Sequence, residues 1–228
     1  MIKRRTLQSL KDELRSNPTA IIGVFIFTVL IFGGVFAPIL APHNPTTQYS
    51  DRTHQPPLGF GGESEQTQLV DGEIQTVVAD NSGTLNHMLG TDANGRDILS
   101  RSLYGLRTSL LVAVTAMILS LIVGTTFGLI AGYYGGKTDD TIMRFVDVIL
   151  AFPSLLMALA LFGILGPMTV SVPDPFAALG LVENRPETTP FPGTVTLAIS
   201  AVIWVWIARV ARSEARQVRN LDYVTAGK

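Results

Sequence analysis

Three histidines, His43, His54 and His87, are the only imidazoles among 228 residues, and cysteine is absent. The histidines are scattered through one polar stretch without the spacing of metal ligands, so the sequence suggests no metal site. Without thiols there is no disulfide, zinc ribbon or thiol nucleophile, and no redox compartment is indicated. Asp92, Asn94 and Gly95 open like a calcium loop, but the glycine is misplaced. Leu103 also stands twelfth, where that loop needs a bidentate glutamate. Residues 131–138 imitate a phosphate-binding loop, with Gly136, Lys137 and Thr138 at its end. Alanine replaces its first glycine, and an apolar helix precedes it where a strand is required. No nucleophile and base pair within an apolar run. The sequence therefore argues against an enzyme and calls for no cofactor.

The elements that would hold these residues are apolar. Hydrophobic residues make up 47% of the chain and charged residues 15%, with a net charge of −1. That balance gives no footprint for nucleic acid. A bilayer core needs roughly 20 apolar residues of helix. Four runs qualify or nearly qualify: residues 20–40, a stretch within 108–136, residues 148 to about 165, and about 194 to 210. Asn17 and Pro18 open the first, and Pro38 and Pro42 end it. Pro153 should kink the third. The fourth is shortened by Pro190 and Pro192 before it and by Arg209 within it, whose side chain would snorkel. The first run exceeds a signal-peptide core and lacks a small-residue cleavage site, so an uncleaved anchor is expected. The fold class is an all-α integral membrane protein, a bundle with four transmembrane helices and a polar extracellular insert.

Orientation follows from loop charge. Residues 1–19 and 209–228 each hold five Lys/Arg, whereas residues 41–107 hold four against eight Asp/Glu. Both ends should lie in the cytoplasm and the insert outside. No run carries an ionisable residue near its centre, which disfavours a proton- or sodium-coupled transporter. Gly124, Gly128 and Gly132 recur every four residues and should form a close helix contact. Asp140, Arg144 and Asp147 are spaced to pair along one helical face. Within the insert, residues 68–79 alternate as a hairpin would, with Asp71 and Gly72 at its turn. Asp97 should cap the helix that follows, with Arg96, Arg101 and Arg107 among the headgroups.

Residues 89–110 resemble the segment before the second helix in C-type permease subunits of dipeptide and oligopeptide ABC importers. The residues carrying that resemblance include Gly90, Thr91, Asp92, Gly95, Arg96, Asp97, Ser100, Arg101, Tyr104, Gly105 and Arg107. Gly132 to Gly136, then Asp140, Arg144, Asp147 and Pro153, are similar in order and spacing. The resemblance implies a second permease subunit, two ATPase subunits and an extracellular substrate-binding protein as partners, in the cell membrane. It also implies that Tyr223, Val224, Thr225, Ala226 and Gly227 begin the loop that docks on the ATPase. Thr225 and Gly227 depart from the usual residues, and the sequence stops there, as a fragment or a truncated protein would. The expected division is a cytoplasmic segment at 1–19, helix 1 at 20–40, the extracellular insert and interfacial helix at 41–107, and an incomplete permease core at 108–228. The expected function is translocation of peptides or similar small solutes, driven by the partner ATPases. The alternatives are a nonfunctional remnant of such a permease and half of a secondary transporter.

Overall fold

A computed structural model describes residues 17–50, 52–70, 73–80, 82–219 and 221. Helix α1 spans Pro18–Val35 and the short α2 spans Ala37–Leu40. Asn17 caps α1 through its side-chain oxygen, which accepts the Ala20 N–H at 3.4 Å, and proline at the first helical position suits the missing donor there. Strands β1 (Glu63–Val70) and β2 (Glu73–Asp80) form an antiparallel hairpin with Val70 opposite Glu73. Residues 71 and 72, the expected turn, lie outside the described residues. A 3-10 turn at Leu85–His87 then leads to the 37-residue helix α3, Ile98–Tyr134. The expected interfacial helix and second span are thus one continuous helix.

Helices α4 (Gly136–Ala151) and α5 (Ser154–Leu165) follow, then β3 (Thr169–Pro173), the short α6 (Pro175–Ala178), β4 (Thr188–Pro192) and α7 (Gly193–Arg219). Among the described residues, three helices are long and apolar enough to cross a membrane, or four if the α4–α5 pair is one broken span. The molecule is a mostly helical, multi-pass membrane protein with two small strand pairs.

The chain forms two compact units. One comprises residues 1–108 and 173–189, the other residues 109–172 and 190–228. In the first, α1 exposes its large apolar side chains and buries only Gly33 and Gly34, as a helix facing lipid tails would. Ala37 and Ala41 pack on Tyr104, near the start of α3. In the second, Ala131, Met143, Val146, Trp204, Val205 and Ala208 make the core. Asp139, Met143 and Val146 are the buried side of α4, spaced as one helical stripe. Met168 O accepts the Gly193 N–H at 2.8 Å where β3 is paired with β4.

Three details sharpen or alter the sequence-based expectation. The kink expected at Pro153 is a 90° bend at which α4 and α5 meet. Pro153 has no N–H to continue α4, and its ring disfavours helical geometry at Phe152. Phe152 accordingly leaves the helix with φ −85° and ψ 134°. Asp147 pairs with Arg209 of α7 at 2.6 Å rather than along its own helix, because a neighbouring helix offers a better-placed cation. Arg107, expected at headgroup level, is 11% exposed and faces buried Asp174 at 3.2 Å, an ion pair without hydrogen-bond alignment.

Candidate functional site

The stretch from Gly90 to Arg107 is built as a scaffold. Gly90 and Gly95 have φ of 77° and 73°, the left-handed region open to glycine. Both also face backbone: a Cβ would lie 2.2 Å from Gln55 O at Gly90 and 2.0 Å from Tyr49 O at Gly95. Between them Asp92 organises the turn. Its Oδ1 accepts the N–H groups of Asn94 at 2.9 Å and Arg96 at 3.0 Å, and its Oδ2 accepts Arg96 Nε at 2.9 Å and pairs with Arg101. Burial alone would raise the Asp92 carboxyl. The amides of Arg96 and Asn94 and the Arg96 guanidinium outweigh that and hold it below its ordinary value of 3.8.

Thr91 ties this turn to the preceding segment. Its hydroxyl accepts the Gln55 N–H at 2.9 Å and donates to Arg52 O, while its own N–H donates to Gln55 O at 2.9 Å. Asp97 caps α3, its Oδ2 accepting the Ser100 N–H at 2.8 Å. Ser100 Oγ in turn accepts the His43 N–H at 3.0 Å. Tyr104 is buried, whereas a Cβ at Gly105 would meet nothing within 4 Å. Arg107 reaches Asp174, which itself caps α6 by accepting the Phe176 N–H at 2.9 Å. These side chains are engaged in holding the backbone and the start of α3; none is poised as a nucleophile.

A second constellation lies in the membrane-spanning helices. A Cβ would stand 2.5 Å from Trp204 O at Gly124, 2.5 Å from Ala208 O at Gly128 and 2.5 Å from Ala215 Cβ at Gly132. The backbones of α3 and α7 approach so closely that no side chain fits between them. Buried Ser120 and Ser200 add hydrogen bonds across the same contact, Ser120 Oγ to Ser200 O and Ser200 Oγ to Ala116 O, both at 3.3 Å. Beyond the stripe, Asp139 of α4 binds Arg212 through both carboxylate oxygens, with Nη2 to Oδ2 at 2.6 Å, and Arg216 at 2.9 Å. Sequence reading missed this clasp, although Arg209, Arg212, Arg216 and Arg219 recur at helical spacing. At the α4–α5 bend a cleft of about 310 Å³ is lined by Phe152, Pro153, Met157, Val202 and Trp206. Tyr223, Val224, Thr225, Ala226 and Gly227 lie outside the described residues.

Sequence spacing also missed one cluster. His43, His87 and Asp97 offer ligand-type atoms that all lie within 4.8 Å of one another. Residues 44 to 86 separate the two histidines along the chain, so only the fold joins them.

Two family models match the chain. Residues 7–57 match the N-terminal transmembrane domain of oligopeptide transport permease C, and residues 124–228 match the binding-protein-dependent transport system inner membrane component. The dipeptide transport system permease protein of Bacillus subtilis is 30% identical across 100% of this chain and 57% of its own length. The di/tripeptide transport system permease protein of Pseudomonas aeruginosa is 32% identical across 97% of this chain and 59% of its own. The dipeptide transport system permease protein of Escherichia coli K12 is 36% identical across 97% and 60%. The chain thus spans about three-fifths of the length of these curated relatives.

Proposed function

We propose, from the premise that this chain belongs to the C-type permease subunits of dipeptide and oligopeptide ABC importers, that it lines one half of a peptide path across the plasma membrane. The observation that supports this most is the similarity to peptide permeases along 97–100% of the chain. The helices agree with it: α1, α5 and residues 109–132 of α3 hold no ionisable side chain. These segments offer no charge to couple a proton or sodium gradient, which supports energy supplied by partners. Those partners are a second permease subunit, two ATPase subunits and an extracellular substrate-binding protein. Tyr223, Val224, Thr225, Ala226 and Gly227 would begin the element that receives ATPase closure. The glycine contact of Gly124, Gly128 and Gly132 would let α3 and α7 move as one body. The scaffold from Gly90 to Arg107 would hold the extracellular insert at the outer end of α3. The bend at Pro153 opens a cleft beside an otherwise close-packed helix pair, and non-helical backbone is tolerated in a membrane where it lines such a space.

Deleting the encoding gene from its host should abolish uptake of labelled di- and tripeptides, and a plasmid copy should restore it. Uptake unchanged by the deletion in a strain with no other peptide importer would contradict this reading.

A further inference from the structure

We propose that His43, His87 and Asp97 form a binding site for one first-row divalent cation, with Zn2+ the best-fitting case, that staples the segment after α2 to the start of α3. His87 Nδ1 lies 3.0 Å from Asp97 Oδ1, and His43 Nδ1 lies 3.9 Å from Asp97 Oδ2. Tetrahedral Zn2+, with bonds of about 2.0–2.2 Å, spaces its ligands roughly 3.3–3.5 Å apart. These two separations bracket that value, and all three ligand atoms lie within 4.8 Å of one another, so side-chain shifts would complete the site. Two imidazoles and one carboxylate are also a ligand set that such ions accept with a fourth position left for water.

The second observation is His43 itself. Its Nδ1 is buried and has no hydrogen-bond partner among the described residues. A buried polar atom left so is destabilising, and a cation among the three groups would satisfy it. The site is also held in place. The His43 N–H donates to Ser100 Oγ at 3.0 Å, and Asp97 is fixed by the Ser100 N–H at 2.8 Å. The two imidazole rings lie tilted by 33° with centroids 4.7 Å apart, and Tyr49 contacts both. Asp97 and His87 are 0% and 1% exposed and His43 is 24% exposed, so the cluster opens to solvent on the His43 side. With the cation bound through Nδ1, His87 carries its proton on Nε2, and the hydrogen bond it shares with Asp97 gives way to two metal bonds. Arg52 and Arg185 act on His43, which makes the site weaker than a closed structural zinc site.

The absence of cysteine and the single remaining histidine, His54, keep the test clean. The tag-free chain in detergent is dialysed against Zn2+, and Co2+ is added separately to read visible d–d absorption. The parent and His54→Ala should bind one Zn2+ per chain and show Co2+ bands. His43→Ala and His43→Gln should bind at least about 100-fold more weakly, the upper end of what loss of even an outer-shell partner costs, and lose the Co2+ bands. The His43 ring packs on His87 and Tyr49, so both variants are first shown to melt cooperatively without metal, and their binding is compared at temperatures where each is folded. Absence of saturable binding by the parent, or binding unaltered in both His43 variants, would overturn the site and leave the His87–Asp97 hydrogen bond as a brace for the α3 cap.

Discussion

At the scale of single residues, Asp92 carries the turn before α3. Its folded carboxyl is held below its ordinary value of 3.8. Between the folded and unfolded values the unfolded chain therefore binds the extra proton, and stability rises with pH there. The contribution is fully present above 3.8 and is lost as pH falls through the lower folded value. Asp92→Asn should cost about 1–2 kcal/mol at neutral pH, toward the low end for charge-assisted hydrogen bonds because the carboxylate is partly exposed. Protection of the Asn94 and Arg96 amides from hydrogen exchange, followed down to acid pH, checks this. The two proteins should converge as Asp92 protonates, and a constant gap between them would contradict the assignment.

At the scale of elements, the contact between α3 and α7 rests on absent side chains. Gly128→Leu would drive an isobutyl group into backbone, since even a Cβ would lie 2.5 Å from Ala208 O and 2.7 Å from Ala211 Cβ. Overpacking of this kind costs typically about 1–3 kcal/mol or more, so abundance and detergent stability should both fall. Gly105→Ala on the same helix is the control, because a Cβ there meets nothing within 4 Å. Thermal melting in detergent should separate the two variants, and equal stability would remove the packing argument. Much of this level was readable beforehand. The four-residue glycine spacing, Asn17-Pro18 as a helix start and Asp97 as a cap are local signals, and local signals survive in a sequence. Pro153 announced a kink, but its 90° size depends on what surrounds the freed backbone. The Asp147–Arg209 and Asp139–Arg212 pairs could not be read from spacing within α4, because helix packing chose partners from α7. The Arg107 pair was hidden for the same reason: its buried partner Asp174 is 67 residues further along. The cluster of His43, His87 and Asp97 shows no periodicity at all and exists only once loops have folded back on α3.

At the scale of the whole molecule, every functional assignment depends on one transmembrane arrangement. The proposed peptide path needs several crossings, the proposed coupling role of Tyr223 onward needs the cytoplasm, and the polar insert is expected on the exterior. Five Lys/Arg in residues 1–19 and five in residues 209–228 argue that both ends stay inside. The chain has no native cysteine, so single-cysteine variants report one position each. The most direct measurement is labelling of Ser9→Cys and Ser64→Cys in intact cells with a membrane-impermeant maleimide, repeated after permeabilisation. The account predicts that Ser64→Cys labels in intact cells and that Ser9→Cys labels only once the membrane is opened. Labelling of both positions from outside, or the reverse pattern, would contradict it.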